Sequence, residues 1–527
     1  MLGCGYTSNL NDGSQTSDVA PPGDIRHVVV IFQENVSFDH YFGTYPNALN
    51  LPGESPFKAL PGTPAVDGLS SELLENNPNA KNPLNGAGAA NPFRLSPKNA
   101  ATADQDHSYR AEQLAFHSGA MDLFPRSVGA ADGPALGQGI AATTGLTMGY
   151  FDGNTVTALW NLAQHYAMSD RFFETTFGPS TLGAINLIAG QTNGVINDGN
   201  AQGAMVSDGN GGYTLFANAS PVNDVCAGQS VIVHMTGKNV GDLLTAAGIT
   251  WGFFAEGFDT LVTNGNGTSG CRRTNTSEIT RQEHLDYTPF IEPFQFYAST
   301  SNPSHRRPAS ISVIGTSDDG GAHHQYDIHD FFDAIKRGNF PAVSFLKSAA
   351  YRDAHAGYSD PLDEQAFVVQ TVNAIEQTPE WKNTVIFITY DDSDGWYDHA
   401  YNIVNGSATA HDGFSSPNAC GDASSALPGV NPSTLHAEGR CGYGPRLPLL
   451  IISPWARPNY VSHAVTDQTS VLRFIEDNFL DGQRLGQGSY DQVAGSFGDM
   501  FDFSGNEPKN DAIVLLNSAT GQITSIK

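Results

Sequence analysis

Cysteine is scarce, with five in 527 residues and none in a CxxC pair, which argues against a thiolate zinc knuckle. Positive charge is scarce as well. Lysine and arginine number 26 against 54 acidic residues, a formal net charge of −28. The long-range field therefore repels nucleic acid and anionic lipid surfaces, and no nucleic-acid partner is expected. No run of eighteen or more apolar residues occurs, so no transmembrane segment is expected. Nor is there an internal repeat, and collagen, coiled-coil and mucin compositions are absent. What remains is 39% apolar content with frequent glycine (56) and proline (30) and only 15% charged residues. That is the composition of a loop-rich globular protein that can fill a sizeable core. At about 150 residues per domain, the length allows three or four domains, or one large domain with insertions.

Short β-branched runs that end abruptly in polar residues mark buried parallel strands. They fall at His27 to Phe32, 309–315 (ASISVIG), 341–346 (PAVSFL), 384–392 (TVIFITYDD) and 447–454 (LPLLIISP). Between them, helical spacing with acidic first turns covers 329–338, 362–378 and 466–480. Strand alternating with helix predicts an α/β fold, a doubly wound and mostly parallel sheet with helices on both faces. Stretches near 45–100, 196–235 and 400–440 are rich in Gly, Asn, Pro and Ser without any period. They predict long loop insertions, which in such sheets gather by the carboxyl ends of the strands.

One catalytic domain is expected over 25–480, with 481–527 as an extension packed on it and 1–24 as a flexible segment. That segment opens on MLGCG, which resembles the end of a lipoprotein signal and points to a periplasmic or secreted protein, with a lipid anchor before trimming. The cysteines at 226, 271, 420 and 441 form two local pairs in polar loops. Of the three connectivities, Cys226 with Cys271 and Cys420 with Cys441 is the local one.

Two strands end in acidic clusters. VVVIFQEN delivers Glu34 and Asn35, and VIFITYDD delivers Asp391 and Asp392. In a parallel sheet both ends face one edge, where these oxygens can converge on one divalent cation that offsets the repulsion among the carboxylates. Without it, at least one carboxyl pKa must rise. In FGPSTLGAINLIAG, the Gly178-Pro179 turn hands over to Ser180 at the start of a helix running through Ile188. A hydroxyl there meets the positive end of the helix dipole and, beside a metal, can act as a nucleophile. GPSTL lacks the second glycine of the G-x-S-x-G elbow, which counts against an α/β-hydrolase triad. His107, His323, His324 and His355 lie in polar, Gly-flanked loops and suit the binding of phosphoryl oxygens and protonation of a leaving alkoxide. His27 and His165 fall inside strand and helix patterns and are read as structural.

Across 25 to 480 the chain resembles the bacterial phosphoesterase family of acid phosphatase A and the nonhaemolytic-type phospholipases C. The strings EN-x-SFDHYFG and TYDD-x-DG-x-YDH carry most of that likeness. The resemblance implies a fold similar to alkaline phosphatase. It also implies Glu34, Asn35, Asp391, Asp392 and Ser180 as ligands of one divalent metal ion, with Ser180 transiently phosphorylated. His107, His323, His324 and His355 would line the phosphate pocket, and a phosphate ester would be the substrate. Phospholipase members carry GPT-x-P-N where this chain has GPSTLG, and the chain runs only a short way past Leu480. Both departures favour an acid phosphatase acting on monoesters. The alternatives are a phospholipase C acting on phosphatidylcholine-like lipids and a secreted metal- and phosphate-binding protein without turnover.

Overall fold

The apolar runs become the centre of an eight-stranded sheet. In chain order the strands are β1 (His27–Gln33), β2 (Ala167–Ser169), β3 (Trp251–Ala255), β4 (Gln325–Asp327), β5 (Val343–Lys347), β6 (Thr384–Tyr390), β7 (Leu449–Ile452) and β8 (Tyr460–Ser462). The structure is a computed structural model and describes residues 25–129, 139–208, 211–228, 230–401, 440–505 and 508–527. Across the sheet the order is β4-β3-β5-β1-β6-β7-β2-β8. β4 to β6 are parallel neighbours and β2 pairs parallel with β8, while β7 runs antiparallel to both β6 and β2. Burial on both faces explains why these strands read as unbroken apolar runs rather than as alternating ones.

The principal helices are α1 (Tyr109–Phe116), α2 (Thr157–His165), α3 (Ser180–Ala189), α4 (Ile328–Lys336), α5 (Pro361–Glu376) and α6 (Gln468–Phe479). Strand parity shows that they cover both faces. Phe387 packs against Phe474 of α6 at 5.2 Å, whereas Tyr390, of opposite parity on the same strand, donates its hydroxyl hydrogen bond to Glu364 of α5. α3 packs on α6 and so shares its face. The sheet is therefore doubly wound, as the alternation of strand and helix predicts.

Some expectations fail or fall outside view. ASISVIG is no strand: Ile311–Val313 forms one 3-10 turn whose residues are half-exposed or exposed, and only Ile314 and Gly315 of the run are buried, too few for a parallel strand covered on both faces. That edge is filled instead by β3 and β4. The 196–235 stretch carries short strands, Val195–Gly199 with Ile232–Met235 and Ser220–Pro221, and a hairpin of Met205–Ser207 with Tyr213–Leu215. Near 77–85, buried asparagines order the loop. Asn79 donates to the Met121 carbonyl at 2.8 Å and accepts from the Phe124 amide at 2.9 Å. A C-terminal hairpin, Val514–Leu516 with Ile523–Ile526, is tied to α5 through Asn373 and the Leu516 carbonyl at 2.8 Å. Cys226 and Cys271 are disulfide-bonded; for the second pairing, Cys420 lies outside the described residues, as do 402–439 of the third insertion. Among the described residues no helix is long and apolar enough to cross a membrane.

The tails of the two family strings do not join the acidic doublets; they form a buried ion network. Arg446, fully buried, donates to Asp398 Oδ1 at 2.9 Å, to Asp39 Oδ1 at 3.1 Å and to the carbonyls of Asp67 and Asp170 at 2.6 and 2.8 Å. His399 bridges Asp39 at 2.7 Å and Asp67 at 3.2 Å. Burial opposes its protonation, but the two carboxylates outweigh burial and raise the imidazole to about 10. Because this folded-state value exceeds the unfolded value of about 6.5, the native state holds a proton that the unfolded chain releases. The stabilisation is fully present below that lower value and is lost as pH rises towards 10. Denaturant unfolding of the wild type at pH 6 and pH 10 should show this decline. The same measurement on Arg446→Ala should show a loss of about 3–5 kcal/mol, because two buried carboxylates lose their counter-ion.

Candidate active site

Backbone register creates the site. β1 and β6 pair without slip from His27 opposite Thr384 to Gln33 opposite Tyr390, so the next residues, Glu34-Asn35 and Asp391-Asp392, leave the sheet side by side. Asn35 turns the chain with φ of 62°, a left-handed conformation that asparagine tolerates. Its amide donates to Asp391 Oδ1 at 2.9 Å, and its side-chain Nδ2 donates to Asp394 Oδ1 at 3.0 Å. Asp391 Oδ1 also accepts the Asp392 amide at 2.7 Å, and Asp392 Oδ1 accepts the Asp394 amide at 2.8 Å.

Ser180 is the first residue of α3, after Pro179 at the cap, and its Oγ donates to Asp392 Oδ2 at 3.1 Å. Two devices hold it there. Gly183 lies so close to β6 that an added Cβ would sit 2.0 Å from the Asp391 carbonyl oxygen. Glu112 of α1 accepts the Gly178 amide at 2.7 Å and the Ser393 hydroxyl at 2.9 Å, bridging the turn before the serine to the loop after the acidic doublet. Burial, reinforced by Asp392, lifts the Glu112 carboxyl to about 8. The helix-start amide of Thr181 is taken by Asn218 Oδ1 at 3.0 Å, which leaves the dipole rather than that amide to favour an anion.

Two of the four loop histidines reach this edge. His107 Nε2 lies 3.9 Å from Asp392 Oδ2 and 3.4 Å from Asn35 Nδ2, and its Nδ1 lies 3.4 Å from Asp394 Oδ1. His355 donates Nδ1–H to the Ala356 carbonyl at 2.6 Å, leaving Nε2 for chemistry, and its ring meets that of His107 edge-on at 6.0 Å. Burial, the largest influence, lowers the His355 pKa. His323 and His324 do not belong here. They precede β4, an edge strand parallel to β1, so they sit at the opposite, amino-terminal edge of the sheet and three strand spacings away, about 14 Å sideways. There His324 stacks on Trp251 at 4.3 Å and bonds its carbonyl at 2.9 Å. Their Gly-flanked setting resembles that of a site loop, but it serves a turn on Asp319. His27 and His165 are structural, at the start of β1 and the end of α2.

Sequence reasoning missed Asp394, Lys347, Tyr358 and Glu112. Lys347 ends β5, beside β1, so the rule that parallel strand ends share one edge could have found it. Its buried Nζ lies 2.9 Å from Glu34 Oε1 and 3.1 Å from Asp353 Oδ2. Tyr358 donates to Glu34 Oε2 at 3.4 Å. Burial pushes the Glu34 carboxyl up, but Lys347, with His355 and Asp353, more than offsets it and holds the group below its ordinary range. For Asp391, Asp392 and Asp394 burial is the largest influence and raises all three.

This donor set fits a divalent cation. Asn35 Oδ1, Asp391 Oδ2 and Asp394 Oδ2 are buried without a hydrogen-bond donor, a costly state that a hard cation relieves. A second set, His107, His355 and Asp394, has its ligand atoms within 4.8 Å of one another.

The family model described as the Phosphoesterase family matches residues 25–480. The chain belongs to that family. Similar curated members include the non-hemolytic phospholipase C of Burkholderia pseudomallei (strain K96243), 25% identical over 87% of this chain and 55% of that protein. The non-hemolytic phospholipase C of Pseudomonas aeruginosa is 24% identical over 86% and 54%, and phospholipase C A of Mycobacterium tuberculosis is 22% identical over 86% and 73%. The chain thus spans about half the length of the first two relatives. Among solved structures, a Vibrio parahaemolyticus protein of the alkaline phosphatase superfamily aligns over 85% of this chain and 84% of its own, at 10% identity and a TM-score of 0.28. A superposition that loose carries no argument about chemistry, and the α/β architecture of this chain rests on its own strand order.

Gly183→Ala should displace α3 from the β6 end. Thermal unfolding is expected to show a loss of about 1–3 kcal/mol, and titration calorimetry a weaker uptake of divalent cation.

Proposed function

We propose that the chain is a metal-dependent phosphoric ester hydrolase in which Ser180 is the nucleophile and becomes transiently phosphorylated. The observation that carries this reading is the Ser180 hydroxyl, 3.1 Å from Asp392 Oδ2 at the head of a helix, beside buried carboxylate oxygens with no donor. Glu34, Asn35, Asp391 and Asp392 would hold the cation, with Ser180 beside it. When bound, it supplies positive charge that favours the serine alkoxide and the phosphoryl oxygens. Ser180 Oγ then attacks phosphorus in line, forming the O–P bond as the ester O–P bond breaks, and its proton passes to Asp392 Oδ2. His107 and His355 face the equatorial oxygens, and whichever is protonated donates to the departing alkoxide. Water afterwards cleaves the phosphoserine. Such chemistry needs charge placement more than covalent help, which is why a buried, rigid donor set suits it.

The preferred substrate on this reading is a phosphomonoester, supported by GPSTLG in the nucleophile turn. A second reading, a phospholipase C acting on phosphatidylcholine-like lipids, is favoured by the names of the relatives. An extracytoplasmic site of action accords with the Cys226–Cys271 bond.

Ser180→Ala should lose turnover by at least about a thousandfold with an unchanged circular dichroism spectrum; wild-type-like rates would remove the serine from the mechanism. Asp391→Ala should lose bound metal together with activity, read by elemental analysis. For the substrate, release of inorganic phosphate from an aryl phosphate supports the monoesterase, whereas diacylglycerol from phosphatidylcholine with no phosphate release from the aryl ester would replace it by the lipase.

A further inference from the structure

The hairpin of Thr274–Thr276 with Glu283–Leu285 lies outside the central sheet, and its His284 takes no part in the chemistry above. Its imidazole stacks on Tyr358, with ring centroids 4.0 Å apart and planes 20° from parallel. His355 stacks on the same phenol at 4.3 Å and 21°. At those separations two imidazoles cannot share one face of a phenol, so they sandwich it. The hairpin's own turn grips the segment that carries Tyr358: Thr280 Oγ1 donates to the Tyr358 carbonyl at 3.1 Å, and Ser277 Oγ to Asp360 Oδ2 at 3.2 Å. The phenol's hydroxyl meanwhile reaches Glu34 at 3.4 Å. Held on one side by this stack and at Nδ1 by the Ala356 carbonyl, His355 has its ring plane fixed against His107 and Asp394.

We propose that His284 is a positioning residue, which sets the orientation of His355 by clamping Tyr358 from the outer face. It acts by ring stacking rather than by charge. This assignment rests on the phosphoester-hydrolase reading of His355. His284 is itself half-buried, on the face of the phenol opposite His355. A loosened His355 still contacts a bound ester but misaligns at the transition state, so the loss should fall on kcat.

The test is the hydrolysis of an aryl phosphate by the full chain loaded with divalent metal. His284→Ala should lower kcat about tenfold, with KM within about twofold of wild type and the metal content unchanged. His284→Phe, which keeps the stack and cannot titrate, should restore kcat to within about twofold. In a His355→Ala background, His284→Ala should add nothing, because the interaction it supports is already gone. An unchanged kcat in His284→Ala, or equal damage in His284→Phe, would overturn the proposal. If the wild type hydrolyses no ester, it is the hydrolase reading that fails. The clamp is then read from the imidazole nitrogen resonances of His355, assigned by their loss in His355→Ala. Their displacement in His284→Ala but not in His284→Phe supports the clamp, and unmoved resonances in both overturn it.

Discussion

Everything at this site depends on one backbone constraint, the unslipped parallel pairing of β1 with β6. A shift of one residue would move Glu34 level with Asp392 and reverse which side chains face α3 and which face α5. The strands are buried on both faces and rich in Val, Ile and Phe, so such a shift would also exchange the partners of Phe387 and Tyr390, and the core forbids it. The geometry of the candidate site is thus a by-product of core packing. Polar residues enter only where the strands end, and two adjacent strands end at the same height.

The cost of that geometry is buried negative charge, and the chain meets it in different ways. Around Arg446 the compensation is permanent: a guanidinium saturates Asp39 and Asp398, with His399 completing the cluster. Those three acidic and imidazole groups lie close enough together to hold a metal, but the fixed cation of Arg446 already occupies that role. At the strand ends the compensation is partial. Lys347 serves Glu34 and Asp353 and Asp392 accepts from Ser180 and the Asp394 amide, while Asp391 and Asp394 each keep one oxygen without a donor. Those oxygens distinguish the strand ends from the Arg446 cluster as a place for an exchangeable cation.

Much of this was legible in the sequence because it followed from period and punctuation. Four of the five strand runs and all three helical patterns appear close to their expected bounds, since each is long enough to bury a continuous face. The acidic doublets and Ser180 could be singled out because they directly follow an apolar run or a Gly-Pro turn. Local context failed for the histidines. Gly-flanked His323 and His324 look like His107 and His355 in sequence, and only the strand order shows that the former enter the sheet where the latter leave it. Glu112 acts through Gly178 and Ser393 on other elements, so no local window exposes it, whereas Lys347 stands at the end of a legible strand and needed only the shared-edge rule.

The loops around the site also carry backbone strain in one place. Asn35, Asp394 and Ala354 all have positive φ, at 62°, 57° and 84°. Asparagine and aspartate adopt that region at little expense, since a short polar side chain can bond nearby backbone. Alanine has no such relief, and a residue held this way costs on the order of 1–3 kcal/mol. Ala354 directly precedes His355, and its neighbours over-determine it. The Asp353 carbonyl accepts the Glu34 amide at 2.8 Å, the Ala354 amide donates to Ser359 Oγ at 3.1 Å, and the His355 amide donates to Asp353 Oδ1 at 3.1 Å. Strain that survives against so many alternatives belongs to a segment whose direction matters more than its stability. The segment 353–359 links Lys347's partner Asp353, the imidazole of His355 and the phenol of Tyr358 in one short loop. Fixing its path fixes all three relative to Glu34, so the acidic edge of β1 and the imidazole facing it are positioned by the same few bonds.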